Sequence, residues 1–355
     1  MTITENPKKK KNHYISYIKG FALIFIVLVH LVHWSNIKYG NILHYFMEIS
    51  SIGILLFMSM IGVVIIFAYG KYTDIKRPAK RLTQRALLLL GIYFLYNIVK
   101  YYLFPLGLLA HQPFYWQFTE RGTMDLISLL TLKSFTVPIT VFVLIPILLI
   151  VSIGVLYINK MKYKKTIIGA LIAFFYILNY WTPASSMNSL NFLYGINTSM
   201  LSINYWLLPY FVGVLVAMFG FEKIKYQALL IFGGLTAIFY FQNSLAGNSL
   251  NPSENIYPMK AYYVAFSFFV TYIIIFIIQA IESLKNHFSH SFLAFINFLG
   301  NHTFNLYIYH WIVIDLTIWF ISDKAILIVV PAFIALYSIY HYKKIKDYYF
   351  EIREI

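Results

Sequence analysis

The side chains in this sequence best suited to chemistry lie in or beside apolar runs. Lys19, His30 and His33 share one such run, residues 15–34. Lys19 and His30 are eleven positions apart. At 100° per residue this is three turns plus about 20°, so a helix carries both on one face, about 16 Å apart along its axis. His33 falls roughly on that face, three residues further on. Imidazole gains and loses a proton near neutrality. A buried His30 could therefore take the proton of a sugar hydroxyl as that oxygen attacks a thioester. Lys19 could pair with the phosphates of an acyl donor. The spacing also fits a quieter arrangement, in which the His bonds a backbone carbonyl and the Lys snorkels to lipid headgroups.

Arg81 and Arg85 are four residues apart and face one way on a helix. Paired guanidinium groups suit phosphates, but they also suit the inner end of a membrane span. His310 and Asp315 occupy a late apolar run. Ionisable groups inside a membrane are functional candidates by default. His30/His33 and His287/His290 have helical metal-ligand spacing. Neither pair has acidic or Cys neighbours, so no metal is expected. The sequence contains no Cys, which excludes disulfides and thiolate chemistry. No phosphate-binding glycine loop, Gly-x-Ser-x-Gly elbow or nucleic-acid motif is present.

The elements that must position these groups follow from composition. Of 355 residues, 60% are hydrophobic and 12% charged, far from the balance of a water-soluble domain. Thirty-one Tyr and 32 Phe suit membrane–water interfaces. Spans of about 20 apolar residues are expected at 15–34, 50–69, 84–104, 137–158, 166–181, 203–220, 226–242, 261–281, 302–321 and 325–341. The fold class is thus all-α, a polytopic bundle of about ten transmembrane helices. The run after Lys8–Lys11 reads as an uncleaved first span. Residues 1–14 form a basic cytoplasmic segment, 15–341 the membrane domain and 342–355 a cytoplasmic tail. With both termini inside, 21 of the 28 Lys and Arg lie inside and six outside, as the positive-inside rule requires. The net charge of +15 is therefore assigned to the bilayer and not to nucleic acid. The Lys, Asn, Ile and Tyr bias points to a bacterium with an AT-rich genome.

The longest outside connections are 105–136, 182–202 and 243–260, rich in Asn, Ser and aromatic residues. They read either as interfacial loops or as a carbohydrate platform, with rings covering sugar faces and amides bonding hydroxyls.

The segment Tyr17-Ile18-Lys19-Gly20-Phe21-Ala22-Leu23-Ile24-Phe25-Ile26-Val27-Leu28-Val29-His30 resembles the first-helix signature of the acyltransferase 3 family. That signature is an Arg, a Gly soon after and a His eleven positions beyond the Arg. Gly53 through Gly62, with Phe57 and Ser59, resembles the family's second-helix pattern. Arg81-Leu82-Thr83-Gln84-Arg85 resembles its basic approach to helix three. Leu299-Gly300-Asn301-His302-Thr303-Phe304-Asn305-Leu306-Tyr307-Ile308-Tyr309-His310 resembles its late Gly–Tyr–His stretch. Lys19 stands where the pattern has Arg, keeping the charge but losing a bidentate grip. Gly62 is displaced from Ser59, and no esterase-like domain follows the spans.

The resemblance implies transfer of an acyl group, usually acetyl from acetyl-CoA, to a polysaccharide, lipid-linked sugar or peptidoglycan hydroxyl. It implies His30 as the catalytic residue and Lys19 on the donor side. Arg81 and Arg85 would bind donor, and His33, Ser59 and His310 would line the site. Similar members of matching length accompany biofilm polysaccharide synthesis, and are regarded as exporters or as O-acyl (for example succinyl) transferases. The expected partners are an acyl-CoA, a cell-surface carbohydrate and the bilayer, with no permanently bound cofactor. The alternative is a transporter or flippase for a polysaccharide or lipid-linked sugar, and a weaker third is a membrane scaffold. Few acidic residues in the spans count against ion coupling.

Overall fold

Each of the ten apolar runs becomes a helix in the computed structural model, which describes residues 13–35, 41–103, 141–181, 203–252, 260–322 and 324–341. In chain order the helices are α1 (His13–Trp34), α2 (Asn41–Ser50), α3 (Gly53–Tyr69), α4 (Lys76–Leu103), α5 (Val141–Ile158) and α6 (Lys164–Trp181). They continue with α7 (Ile203–Phe219), α8 (Lys225–Leu245), α9 (Ala261–Ser283), α10 (His287–Asn301), α11 (Thr303–Phe320) and α12 (Ile326–Tyr340). Among the described residues, all regular structure is helical. His13–Val32, Phe46–Tyr69, Lys225–Leu245 and Ala261–Ser283 are each long and apolar enough to cross a membrane. Val143–Ile158, Ile203–Phe219 and Ile326–Tyr340 are shorter apolar helices. The chain is an all-α, multi-pass membrane bundle.

Two helices are additional to the ten expected. α2 and α10 have 10 and 15 residues, too short for a window of about 20 apolar residues to register. α10 has its own start signal. The side chain of Asn286 accepts the backbone N–H of Ser289 at 2.7 Å, an N-cap, and Lys285 before it has a φ of 49°. α4 begins at Lys76, eight residues before the expected span. Asp74 accepts the Lys76 N–H at 2.9 Å, and Pro78 falls in the first turn, where its missing N–H costs nothing. The basic segment 76–85 is thus helical, with Arg81 and Arg85 exposed.

α1 packs chiefly on α10 and α3, α3 on α7, α4 on α5, α7 on α6, α8 on α9, and α11 on α12. Between apolar helices in lipid there is little hydrophobic drive, so close backbone approach matters. At the α1–α10 crossing, a Cβ on Gly300 would strike the Ser16 carbonyl, and one on Gly20 the Ile296 carbonyl. The pairing of 16 with 300 and 20 with 296 makes the two helices antiparallel there. Gly62 and Gly213 do the same at the α3–α7 crossing, against Tyr210 and Ser59. α8 and α12 are peripheral. Leu230 and Ile328 on them are 76% and 75% exposed, as expected for lipid-facing side chains.

Six Ser and Thr hydroxyls in the helices are satisfied within their own helix. Ser59, Ser152, Ser267, Thr271, Thr317 and Ser338 each donate to the carbonyl four residues back, at 2.6–2.8 Å. In lipid an unmet polar group is costly, and this bond meets it locally.

Candidate functional site

On α11 the positions Tyr307, His310, Trp311, Ile314 and Asp315 are all buried. Their steps of three and four residues mark one helix face. α11 packs against α1 as well as α12, and there it meets His30, which is half-buried. The Nδ1 of His30 lies 3.1 Å from the Nε2 of His310. The ring planes differ by 6° and the ring centroids are 5.4 Å apart. That separation equals little more than the N···N distance plus the two ring radii. The imidazoles therefore lie edge to edge in nearly one plane, with a lone pair aimed at an N–H, as a hydrogen bond prefers. The other nitrogen of His310, Nδ1, is 3.2 Å from the carbonyl oxygen of Leu306.

Aromatic rings hold this pair. Trp311 lies with its ring centroid 4.1 Å from that of His30, tilted by 43°. Tyr307 meets His310 edge-on at 5.2 Å, and Phe57 of α3 stacks on Tyr307 at 5.7 Å. Three helices thus fix the orientation of two imidazoles. His30 finds its partner on another helix, 280 positions along the chain.

Lys19 and His30 lie on the same continuous helix α1, which holds them about 16 Å apart along one face. Leu23 and Ile26 fall between them on that face, 2% and 4% exposed. A dry, packed stretch therefore separates the cation from the imidazole. Lys19 itself is half-buried beside Gly20 at the α1–α10 crossing.

The remaining expected residues are placed elsewhere. Ser59 is buried, with its hydroxyl on Leu55 at 2.7 Å and its carbonyl against Gly213. It serves the α3–α7 crossing. Arg81 and Arg85 are exposed on α4, whose main partner is α5, so no described contact gathers them at the histidine pair. The side chain of His33 lies outside the described residues. So do the connections 105–136 and 182–202, residues 253–259 of the third, Lys8–Lys11 and the tail 342–355.

Sequence reasoning passed over Tyr307 and Trp311. Their signal was present in the three- and four-residue steps around His310, which read as ordinary apolar filling until the facing helix is known.

No family model, no curated protein and no solved structure matches this chain.

Proposed function

We propose that this chain is a membrane O-acyltransferase. It takes an acyl group from acetyl-CoA or a similar acyl-CoA and delivers it to a hydroxyl of a cell-surface carbohydrate. One observation carries the reading. His30, on a membrane helix, turns into the bundle and sits edge to edge with a second imidazole at 3.1 Å. Burying two polar rings in an apolar bundle is costly, and ionisable groups kept there mark function by default. The likeness of residues 17–30 to the acyltransferase 3 signature supplies the reaction class.

In this reading the carbohydrate hydroxyl gives its proton to His30 as its oxygen attacks the thioester carbonyl. The C–S bond breaks, and the thiolate leaves with the proton that His30 returns. Lys19, with Arg81 and Arg85, meets the donor phosphates on the cytoplasmic side, with both termini inside. Leu23 and Ile26 keep water from the thioester between cation and imidazole, limiting hydrolysis. The setting is the cell membrane of a bacterium.

The test uses the protein in liposomes, with radiolabelled acetyl-CoA on one side and surface polysaccharide on the other. Label should pass to the polysaccharide with wild-type protein. It should fall by a factor of about 10² or more with His30→Ala, the usual range for losing a general base. Transfer by His30→Ala at the wild-type rate would end the reading.

A further inference from the structure

The histidine pair has a direction. A carbonyl oxygen can only accept, so the Nδ1 of His310, 3.2 Å from the Leu306 carbonyl, must carry a proton and donate it. A neutral imidazole has one N–H and one lone pair. The Nε2 of His310 is therefore the acceptor in the pair. The Nδ1 of His30, 3.1 Å away and in plane, must be the donor. His30 is thus left with its lone pair on Nε2.

We infer that His310 is a positioning residue that locks His30 in its Nδ1–H tautomer and so makes Nε2 the basic nitrogen. The lock starts from the backbone. Leu306 sets His310, and His310 sets His30. It is built from two neutral rings, with no carboxylate between the carbonyl and the base. Trp311, 4.1 Å from the His30 ring, blocks rotation of the imidazole about its side-chain bond and keeps Nδ1 on its partner.

The catalytic consequence rests on the acyltransferase reading. The Nε2 of His30 takes the hydroxyl proton, and the alkoxide oxygen forms a bond to the acyl carbon of the thioester. The C–S bond breaks, and the departing thiolate takes the proton back from Nε2. During that interval His30 is an imidazolium, and its Nδ1–H still donates to the His310 lone pair. His310 touches no reacting atom.

Two measurements on the full chain in nanodiscs test this. The first is the ¹⁵N spectrum of protein labelled at histidine, with the His30 signals assigned by their loss in His30→Asn. Ring ¹⁵N shifts separate a protonated nitrogen from a bare one. The proposal expects Nδ1–H with bare Nε2 in the wild type, and a return toward Nε2–H in His310→Leu. The second is acyl transfer by His310→Leu and His310→Gln. Leu supplies no acceptor and should reduce transfer by about 100-fold. Gln can place an amide oxygen near the position of Nε2 and should recover most of it.

A wild-type His30 protonated at Nε2 overturns the lock, whatever the enzyme does. Equal transfer by the Leu and Gln variants overturns the positioning role. If the tautomer is as stated but wild-type protein transfers no acyl group, the lock stands and the acyltransferase reading falls.

Discussion

Gly300 of α10 lies so close to the carbonyl of Ser16 on α1 that no methyl group fits between them. The contact fixes the helix that carries Lys19 and His30 against its largest packing partner. Gly300→Ala should therefore lower stability by about 1–3 kcal/mol, the usual cost of overpacking. Gly91→Ala is the matched control. It lies in α4 with nothing near its missing Cβ, and Ala gains up to about 1 kcal/mol over Gly in a helix. Unfolding midpoints in detergent decide between them, and equal midpoints would show the crossing to be slack.

Trp311 is nearly fully buried and covers the His30 ring. Truncation to Ala should cost about 3–5 kcal/mol and free the imidazole to turn. Trp311→Phe keeps a ring over His30 and should retain more transfer than Ala. A thermal scan and an acyl-transfer assay on both variants check this. The expectation fails if Ala transfers as well as Phe.

On the acyltransferase reading proposed above, Lys19, about 16 Å from His30, is too far to act on the reacting atoms. Lys19→Met should then raise KM for acyl-CoA about tenfold, with kcat little changed, the pattern of lost uniform binding. Lys19→Arg keeps the charge and should bind donor at least as well, since a guanidinium can grip phosphate by two bonds. A fall in kcat alone would place Lys19 in the chemistry instead.

Ser152 and Tyr210 join α5 to α7 through a 2.7 Å hydroxyl contact. The two halves are unequal. Without Tyr210 the Ser152 hydroxyl still donates to Leu148, at 2.6 Å. Without Ser152 the fully buried Tyr210 hydroxyl loses its partner. Ser152→Ala should therefore cost about 1–3 kcal/mol and Tyr210→Phe only about 1 kcal/mol or less from hydrogen bonding. The reverse order in denaturation midpoints would contradict the accounting.

The ten apolar runs were legible because hydropathy is a local property, and each became a helix. So was the shared face of Lys19 and His30, since helix periodicity alone sets it. α2 and α10 were not, because a short helix that lies against others needs no spanning length. The start of α4 was hidden as well, because basic residues fall outside an apolar window and the bond from the Lys76 N–H to Asp74 shows only in the structure. The meeting of His30 with His310 could not be read at all. Periodicity tells which face of α1 bears His30, but only packing tells which helix faces it. Ser59 shows the converse. Its type invited a site role, while its hydroxyl and its carbonyl are committed to helix packing.

The carbonyl that anchors His310 lies one turn back on the same helix. The ring therefore turns with α11 as a rigid body. Rotating α11 by one residue, about 100°, would carry the ring away from α1 and release His30 to the opposite protonation pattern. Helix orientation and base strength are then mechanically geared. Bilayers of different thickness, which alter helix tilt, should shift the ¹⁵N pattern of His30, whereas an invariant pattern would show that α11 does not move.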